Sequence, residues 1–220
     1  MPTTISEQVS RLAETTAAQP ANEIMGAFTR EQADLAARGL PAGVIEVGAT
    51  LPDAELLDAH GATTSLNAAL GERLSVLVFY RGAWCPYCNI TLNTYQAELI
   101  PELTARGVDL VAISPQTPDG SLSTLEKNAL TFTVLSDPGN QIAAAVGILT
   151  APSDEARAAQ LQLGLDLAAV NADGTTGLPM PTTIIVDADH IIRWIDVHPD
   201  YTTRSEPGEI LAAVDAVVSR

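Results

Sequence analysis

Only two cysteines and three histidines occur in the 220 residues. Two cysteines cannot make the multi-bridge framework of a disulfide-stapled fold. His60, His190 and His198 are scattered through expected turns, so a four-ligand zinc site is incomplete and no metal is expected. Basic residues are scarce too, 11 against 27 acidic, for a net charge of −16. That removes the positive footprint required by nucleic acid or by an anionic membrane surface. The acidity reads as a solubility feature. Aromatics make up 4% of the chain, so Ala, Val, Leu and Ile must fill the core, and the 46% hydrophobic content supplies enough of them. No apolar run approaches about 18 residues, so no membrane span is expected. The opening Met1-Pro2-Thr3-Thr4-Ile5-Ser6-Glu7 has neither a basic nor an apolar leader region, so a signal peptide is not expected. The expected location is cytoplasmic. Two cysteines three apart in that setting are a metal half-site or a redox pair, with an inert buried pair as the bland alternative.

The length fits one domain with an extension. Residues 1–40 form the expected helical extension, with one helix from Thr4 to Gln19 closed by Pro20 and another from Glu23 to Arg38 stopped by Gly39. Thr4 with Glu7 fits a capping box. The extension is expected to cover the sheet or to mediate a homodimer. Residues 41–220 alternate strand and helix. Ala54–Asp58 and Ala62–Ser65 flank a turn at His60-Gly61. Leu74–Tyr80, Val108–Ser114 and Phe132–Ser136 are short apolar strands. Helices are expected at Pro86–Arg106, Leu122–Leu130, Gln141–Val146, Ser153–Ala169 and Pro207–Val218. Thr183–Asp187 and Ile191–Val197 form a hairpin. The fold class is α/β, a central mixed sheet flanked by helices, its parallel strands joined by right-handed crossovers.

The chemistry is concentrated in Arg81-Gly82-Ala83-Trp84-Cys85-Pro86-Tyr87-Cys88. Cys85 follows a buried strand and opens a helix, where unpaired N–H groups and the helix dipole favour an anion. Its pKa is therefore expected to be depressed, with Arg81 assisting. Cys88 lies one turn on, within disulfide reach. Pro86 takes the first helical position, where a missing N–H costs nothing. The pair supplies an attacking and a resolving thiol for a disulfide or a peroxide. Trp84 is either a core residue or a wall beside the sulfurs. Pro181 and Thr182 precede the strand at Thr183, in the position of a cis-proline loop beside a dithiol helix. A simple strand-start proline is the alternative.

From Val47 to the end, the chain resembles the peroxiredoxin-like branch of the alkyl hydroperoxide reductase/thiol-specific antioxidant family. The stretches that carry the resemblance are Val47-Gly48-Ala49-Thr50-Leu51-Pro52-Asp53, Phe79 to Cys88, Ile113-Ser114-Pro115, Leu135-Ser136-Asp137-Pro138-Gly139, Pro179-Met180-Pro181-Thr182-Thr183 and His198 to Pro207. The resemblance implies a thioredoxin-like fold and thiol-dependent peroxidase activity. It also exposes departures. The family's Pro-x-x-x-Thr-x-x-Cys loop, counted from Phe79-Tyr80, places Arg81 at the proline, Cys85 at the threonine and Cys88 at the peroxidatic cysteine. Pro181 stands where the family has an arginine, a role for which Arg81 or Arg204 is the substitute. Trp84-Cys85-Pro86-Tyr87-Cys88 with Pro181 also looks like thioredoxins and glutaredoxins, although Val78 replaces the buried acid of thioredoxins.

The leading expectation is an antioxidant enzyme that reduces hydrogen peroxide or organic hydroperoxides through a Cys85/Cys88 dithiol cycle. It needs no cofactor, and thioredoxin or a small thiol recycles it. Cys85 is taken as the first nucleophile, with attack by Cys88 and resolution by Cys85 as the alternative order. A general thiol-disulfide oxidoreductase and a redox-sensing interaction module are the competing readings.

Overall fold

The computed structural model describes residues 3–17 and 23–219. Among these, the α-helices are α1 (Ile5–Ala17), α2 (Glu23–Arg38), α3 (Leu66–Leu70), α4 (Pro86–Thr94), α5 (Ile100–Ala105), α6 (Pro118–Lys127), α7 (Gln141–Val146), α8 (Asp154–Gln162), α9 (Leu167–Val170) and α10 (Pro207–Val218). The strands are β1 (Glu55–Asp58), β2 (Thr63–Ser65), β3 (Ser75–Phe79), β4 (Asp109–Ser114), β5 (Thr133–Ser136), β6 (Leu149–Thr150), β7 (Leu178–Pro179), β8 (Thr182–Val186) and β9 (Ile192–Val197). The order across the main sheet is β2-β1-β5-β4-β3-β8-β9, while β6 and β7 pair in a separate ribbon. β3, β4 and β5 run parallel, and the remaining pairings in the sheet are antiparallel. This is the expected mixed sheet.

Alternation along β3 divides the core in two. Val76, Val78 and Tyr80 face one layer, and Leu77 and Phe79 the other. The first layer also takes Leu92, Tyr95, Leu99 and Leu103 from the helix after the dithiol, together with Ile210 and Val214 of α10. That long helix is interrupted by a π turn at Tyr95–Leu99. Pro101, at the start of α5, cannot donate in the helical ladder, and the wider turn ahead of it accommodates the missing bond.

α1 belongs to this core. Ile5 is 1% exposed and Val9 packs beside it. The capping box forms, with the Glu7 N–H donating to Thr4 Oγ1 (3.1 Å) and the Thr4 N–H to Glu7 Oε2 (3.2 Å). The Ile5 and Ser6 N–H groups donate to the carboxylate of Glu206, the N-cap of α10, so one side chain serves two helix N-termini. The expected end of this helix at Gln19–Pro20 lies outside the described residues. α2 packs on α8, tied by the Arg30–Glu155 ion pair.

Several expected boundaries shift. α6 begins at Pro118 rather than Leu122, because a proline at the first helical position is tolerated there. The expected helix over Ser153–Ala169 is two helices, split where Gly164 (φ +83°) ends one turn and Asp166 caps the next. No described helix is long and apolar enough to cross a membrane.

Candidate active site

The site grows from the C-terminal end of β3. Tyr80 is buried there, and the chain then turns at Gly82. Gly82 has φ +147°, and a Cβ on it would lie 2.5 Å from Trp84 Nε1, so the indole packs where only glycine leaves room. Gln116, just beyond β4, braces the turn. Its Oε1 accepts from the Ala83 N–H (2.8 Å), and its Nε2 donates to the Tyr80 hydroxyl (2.8 Å) and to Thr124 Oγ1 (3.0 Å). Asn89 Nδ2 donates to the Ala83 carbonyl (2.9 Å). The turn therefore delivers Cys85 to the N-cap of α4, with Pro86 following it.

Both cysteines are free thiols and both are 1% exposed. Their environments differ. Cys88 Sγ accepts from Arg204 Nη2 (3.2 Å) and from the Arg81 backbone N–H (3.4 Å). Burial alone would push the Cys88 thiol up. The hydrogen bond from the Cys85 thiol, the Arg204 guanidinium, the Arg81 N–H and the Arg81 charge together outweigh burial and hold it well below the ordinary thiol range. Cys85 is pushed the other way, well above that range, by burial and by its proximity to the Cys88 thiolate; the arginine charges only partly offset this. The expectation that Cys85 is the better thiolate, at the solvent end of the helix, is thus reversed. The helix N-terminus favours an anion at either residue. The buried arginine and the loop N–H contact Cys88 Sγ and favour its anion.

Arg204, one of the two arginines expected to substitute for the family's, is 9% exposed. Its Nη1 donates to the Tyr201 (2.7 Å) and Thr203 (2.5 Å) carbonyls. The flanking residues are pinned as well. Asp196 Oδ2 accepts from the Ser205 hydroxyl (2.8 Å) and contacts His198 Nε2 (2.9 Å), while His198 Nδ1 lies 2.8 Å from Thr203 Oγ1. The Tyr95 hydroxyl donates to the Ser205 carbonyl (2.7 Å). The segment that presents Arg204 to Cys88 is therefore held at both neighbours of the arginine.

Arg81 is buried, with its guanidinium 4.0 Å from the centre of the Tyr201 ring and 5.2 Å from that of Trp84. Burial pushes the Tyr201 hydroxyl up to about 12, so Arg81 lies on a neutral phenol. Pro181 and Thr182 take a different arrangement from the one expected. The described residues contain no cis peptide bond, so Pro181 is not a cis-proline. The chain stays extended because the Met180 N–H donates to the Ile148 carbonyl and the Pro181 carbonyl accepts from the His198 N–H. Thr182 is the first residue of β8, and its hydroxyl donates to the Met180 carbonyl rather than to a sulfur. Sequence reasoning missed Gln116, Asn89 and Tyr201. The last lies inside the His198–Pro207 stretch that carried the family resemblance, which was the available signal.

Comparison with known proteins agrees with the fold. The sequence pattern of the AhpC/TSA family matches residues 47–195, more than half of the chain. Peroxiredoxin Bcp of Escherichia coli K12 is 31% identical over 104 residues, covering 47% of this chain and 65% of its own. The chain spans under two thirds of the length of the curated relatives it matches. Among solved structures, peroxidoxin BcpB from Mycobacterium tuberculosis superposes with a TM-score of 0.60 at 21% identity, covering 79% of this chain and 98% of that one. A peroxiredoxin-like protein from Aquifex aeolicus gives 0.63 at 15% identity, covering 81% and 91%.

Proposed function

The chain belongs to the AhpC/TSA family, and from that premise we propose that it is a thiol peroxidase in which Cys88 is oxidised by peroxide and Cys85 resolves it. The observation that carries this order is the pair of donors on Cys88 Sγ, Arg204 Nη2 and the Arg81 N–H; no such donor reaches Cys85 Sγ among the described residues. A thiolate is the nucleophile in this chemistry, and Cys88 is also where the family's peroxidatic cysteine falls when counted from Phe79-Tyr80.

The cycle follows from the positions. The Cys88 thiolate attacks one peroxide oxygen; the S–O bond forms, the O–O bond breaks, and the leaving alkoxide or hydroxide takes a proton to become alcohol or water. Cys88 is then a sulfenic acid. Arg204 sits where it can stabilise the charge leaving on oxygen, the part the family assigns to an arginine at the position Pro181 occupies here. The Cys85 sulfur next attacks the Cys88 sulfur. An S–S bond forms and hydroxide departs, leaving as water with the Cys85 proton. An external thiol returns two electrons and two protons, so the reading requires a reducing compartment such as the cytoplasm.

A small oxidant suits the burial. Each cysteine is 1% exposed, which a peroxide tolerates better than a protein disulfide would, and this favours the peroxidase over a general disulfide oxidoreductase. The test is a single turnover. One equivalent of hydrogen peroxide or cumene hydroperoxide should be consumed by the reduced protein with formation of one Cys85–Cys88 disulfide. A dithiol that stays reduced in peroxide yet is oxidised to the Cys85–Cys88 disulfide by insulin disulfides would overturn the proposal.

A further inference from the structure

Arg204 reaches Cys88 from the loop between β9 and α10, residues 198–206. The loop holds its own shape. The Asp200 carbonyl accepts from the Thr203 N–H (3.1 Å) and from the Thr203 hydroxyl (2.9 Å), and Arg204 Nη1 is bound to two carbonyls of the same loop. The guanidinium therefore moves with the loop, and its 3.2 Å contact with Cys88 Sγ depends on where the loop is anchored. A pair of side chains at the end of β9 supplies an anchor on each side of the arginine. Asp196 Oδ2 takes the Ser205 hydroxyl and His198 Nε2, and His198 Nδ1 meets the Thr203 hydroxyl. The proton positions follow from the partners. Nε2 faces a carboxylate, which can only accept. Nδ1 faces a hydroxyl whose own proton goes to the Asp200 carbonyl. All four contacts hold together only when both ring nitrogens donate, as in imidazolium. The hydrogen bond from His198 holds the Asp196 carboxyl below the ordinary carboxylate range against the opposing effect of burial, so its partner is an anion.

We propose that Asp196 and His198 are positioning residues of the thiol peroxidase: the pair fixes Thr203 and Ser205, the two neighbours of Arg204, and so keeps the guanidinium on the Cys88 thiolate. The inference deepens the proposed function and rests on Cys88 as the reacting thiolate. The side chains of Asp196 and His198 are 35% and 18% exposed, so the ion pair itself contributes little stability. What it supplies is direction. Neither residue has a hydrogen bond to a sulfur among the described residues, and the route from the pair to Cys88 is Arg204.

The test is a double-mutant cycle read on Cys88 alone. Every protein carries Cys85→Ser, and the pH dependence of iodoacetamide alkylation gives the Cys88 midpoint. His198→Ala is compared with its parent twice, once with Arg204 present and once in Arg204→Met. With Arg204 present, a guanidinium displaced from the sulfur leaves the thiolate less stable. The midpoint is expected to rise by about half a unit to one unit, which slows alkylation about three- to tenfold below the midpoint, a fraction of one charge-assisted hydrogen bond. In Arg204→Met the same substitution should move the midpoint by less than about 0.2 unit, because the group it positions is gone. His198→Gln, which can donate to Asp196 and accept from Thr203 but carries no charge, should recover part of the shift. Asp196→Asn is the second variant and should repeat the pattern, with urea unfolding showing that each protein is folded. Equal shifts in the two backgrounds would overturn the proposal, since a general structural defect does not need Arg204. Unmoved midpoints in folded His198→Ala and Asp196→Asn proteins would overturn it as well. Alkylation involves no peroxide, so failure of the parent protein to consume peroxide would count against the peroxidase reading alone.

Discussion

Replacing Arg204 with methionine removes one charge from the sulfur it contacts while keeping an apolar stem of similar length. The guanidinium lies 3.2 Å from Cys88 Sγ in a buried setting. A hydrogen bond from a charged group contributes about 1.5–3 kcal/mol. At about 1.4 kcal/mol per pKa unit, its loss should raise the Cys88 pKa by roughly one to two units. The cleanest assay uses a Cys85→Ser background, in which only Cys88 can react and a hydroxyl donor remains beside it. The pH dependence of iodoacetamide alkylation, or of thiolate absorbance, then reports Cys88 alone and avoids the shared titration of a coupled pair. Arg204→Lys should recover part of the shift, since it restores charge but not the planar fork that also holds the Tyr201 and Thr203 carbonyls. An unmoved profile in a folded Arg204→Met protein would refute the assignment of Arg204 as the group that sets the thiolate.

Three further outcomes are expected. Gly82→Ala forces a Cβ to 2.5 Å from Trp84 Nε1 at φ +147°, and should cost about 1–3 kcal/mol in urea unfolding and shift the tryptophan emission; an unchanged midpoint and spectrum would contradict the packing. Ile5→Ala, at a side chain 1% exposed, should cost about 2–5 kcal/mol, whereas a surface helix would lose almost nothing. Burial raises the Asp137 carboxyl from 3.8 to about 6, outweighing the N–H groups of Ala143, Gln141 and Ile142. The folded state then holds that proton more tightly than the unfolded chain. The stability it contributes is present below about pH 4 and is lost by about pH 6, on the order of 3 kcal/mol. The difference in unfolding free energy between the parent and Asp137→Asn should fall through that window, and a flat difference would contradict the assignment.

Much of the fold was legible because its signals are local. The β3 and β4 runs, the helix over Gln141–Val146 with Gly147 behind it, and the closing helix Pro207–Val218 are each set by apolar runs, caps and prolines within the element. The dithiol and its place at a helix N-terminus were legible for the same reason. The chemical difference between the two sulfurs was not. It depends on Arg204, 116 residues beyond Cys88, and on an Asp196–His198–Ser205 clamp whose members meet only after β9 turns back toward α10. Local spacing ranked Cys85 first because the helix terminus and the nearby Arg81 were the electrostatic features visible in the sequence. The extended Pro181 loop is likewise a tertiary effect, set by carbonyl and N–H partners on other segments.

The order of attack is tested most directly by locating the sulfenic acid. Cys85→Ser and Cys88→Ser proteins, treated with stoichiometric hydrogen peroxide and dimedone, are read by mass spectrometry. The expected result is one dimedone adduct on Cys88 in the Cys85→Ser protein and an unreactive Cys88→Ser protein. Rapid adduct formation on Cys85 in the Cys88→Ser protein, with Cys88 inert in the other, would contradict Cys88 as the peroxidatic thiolate.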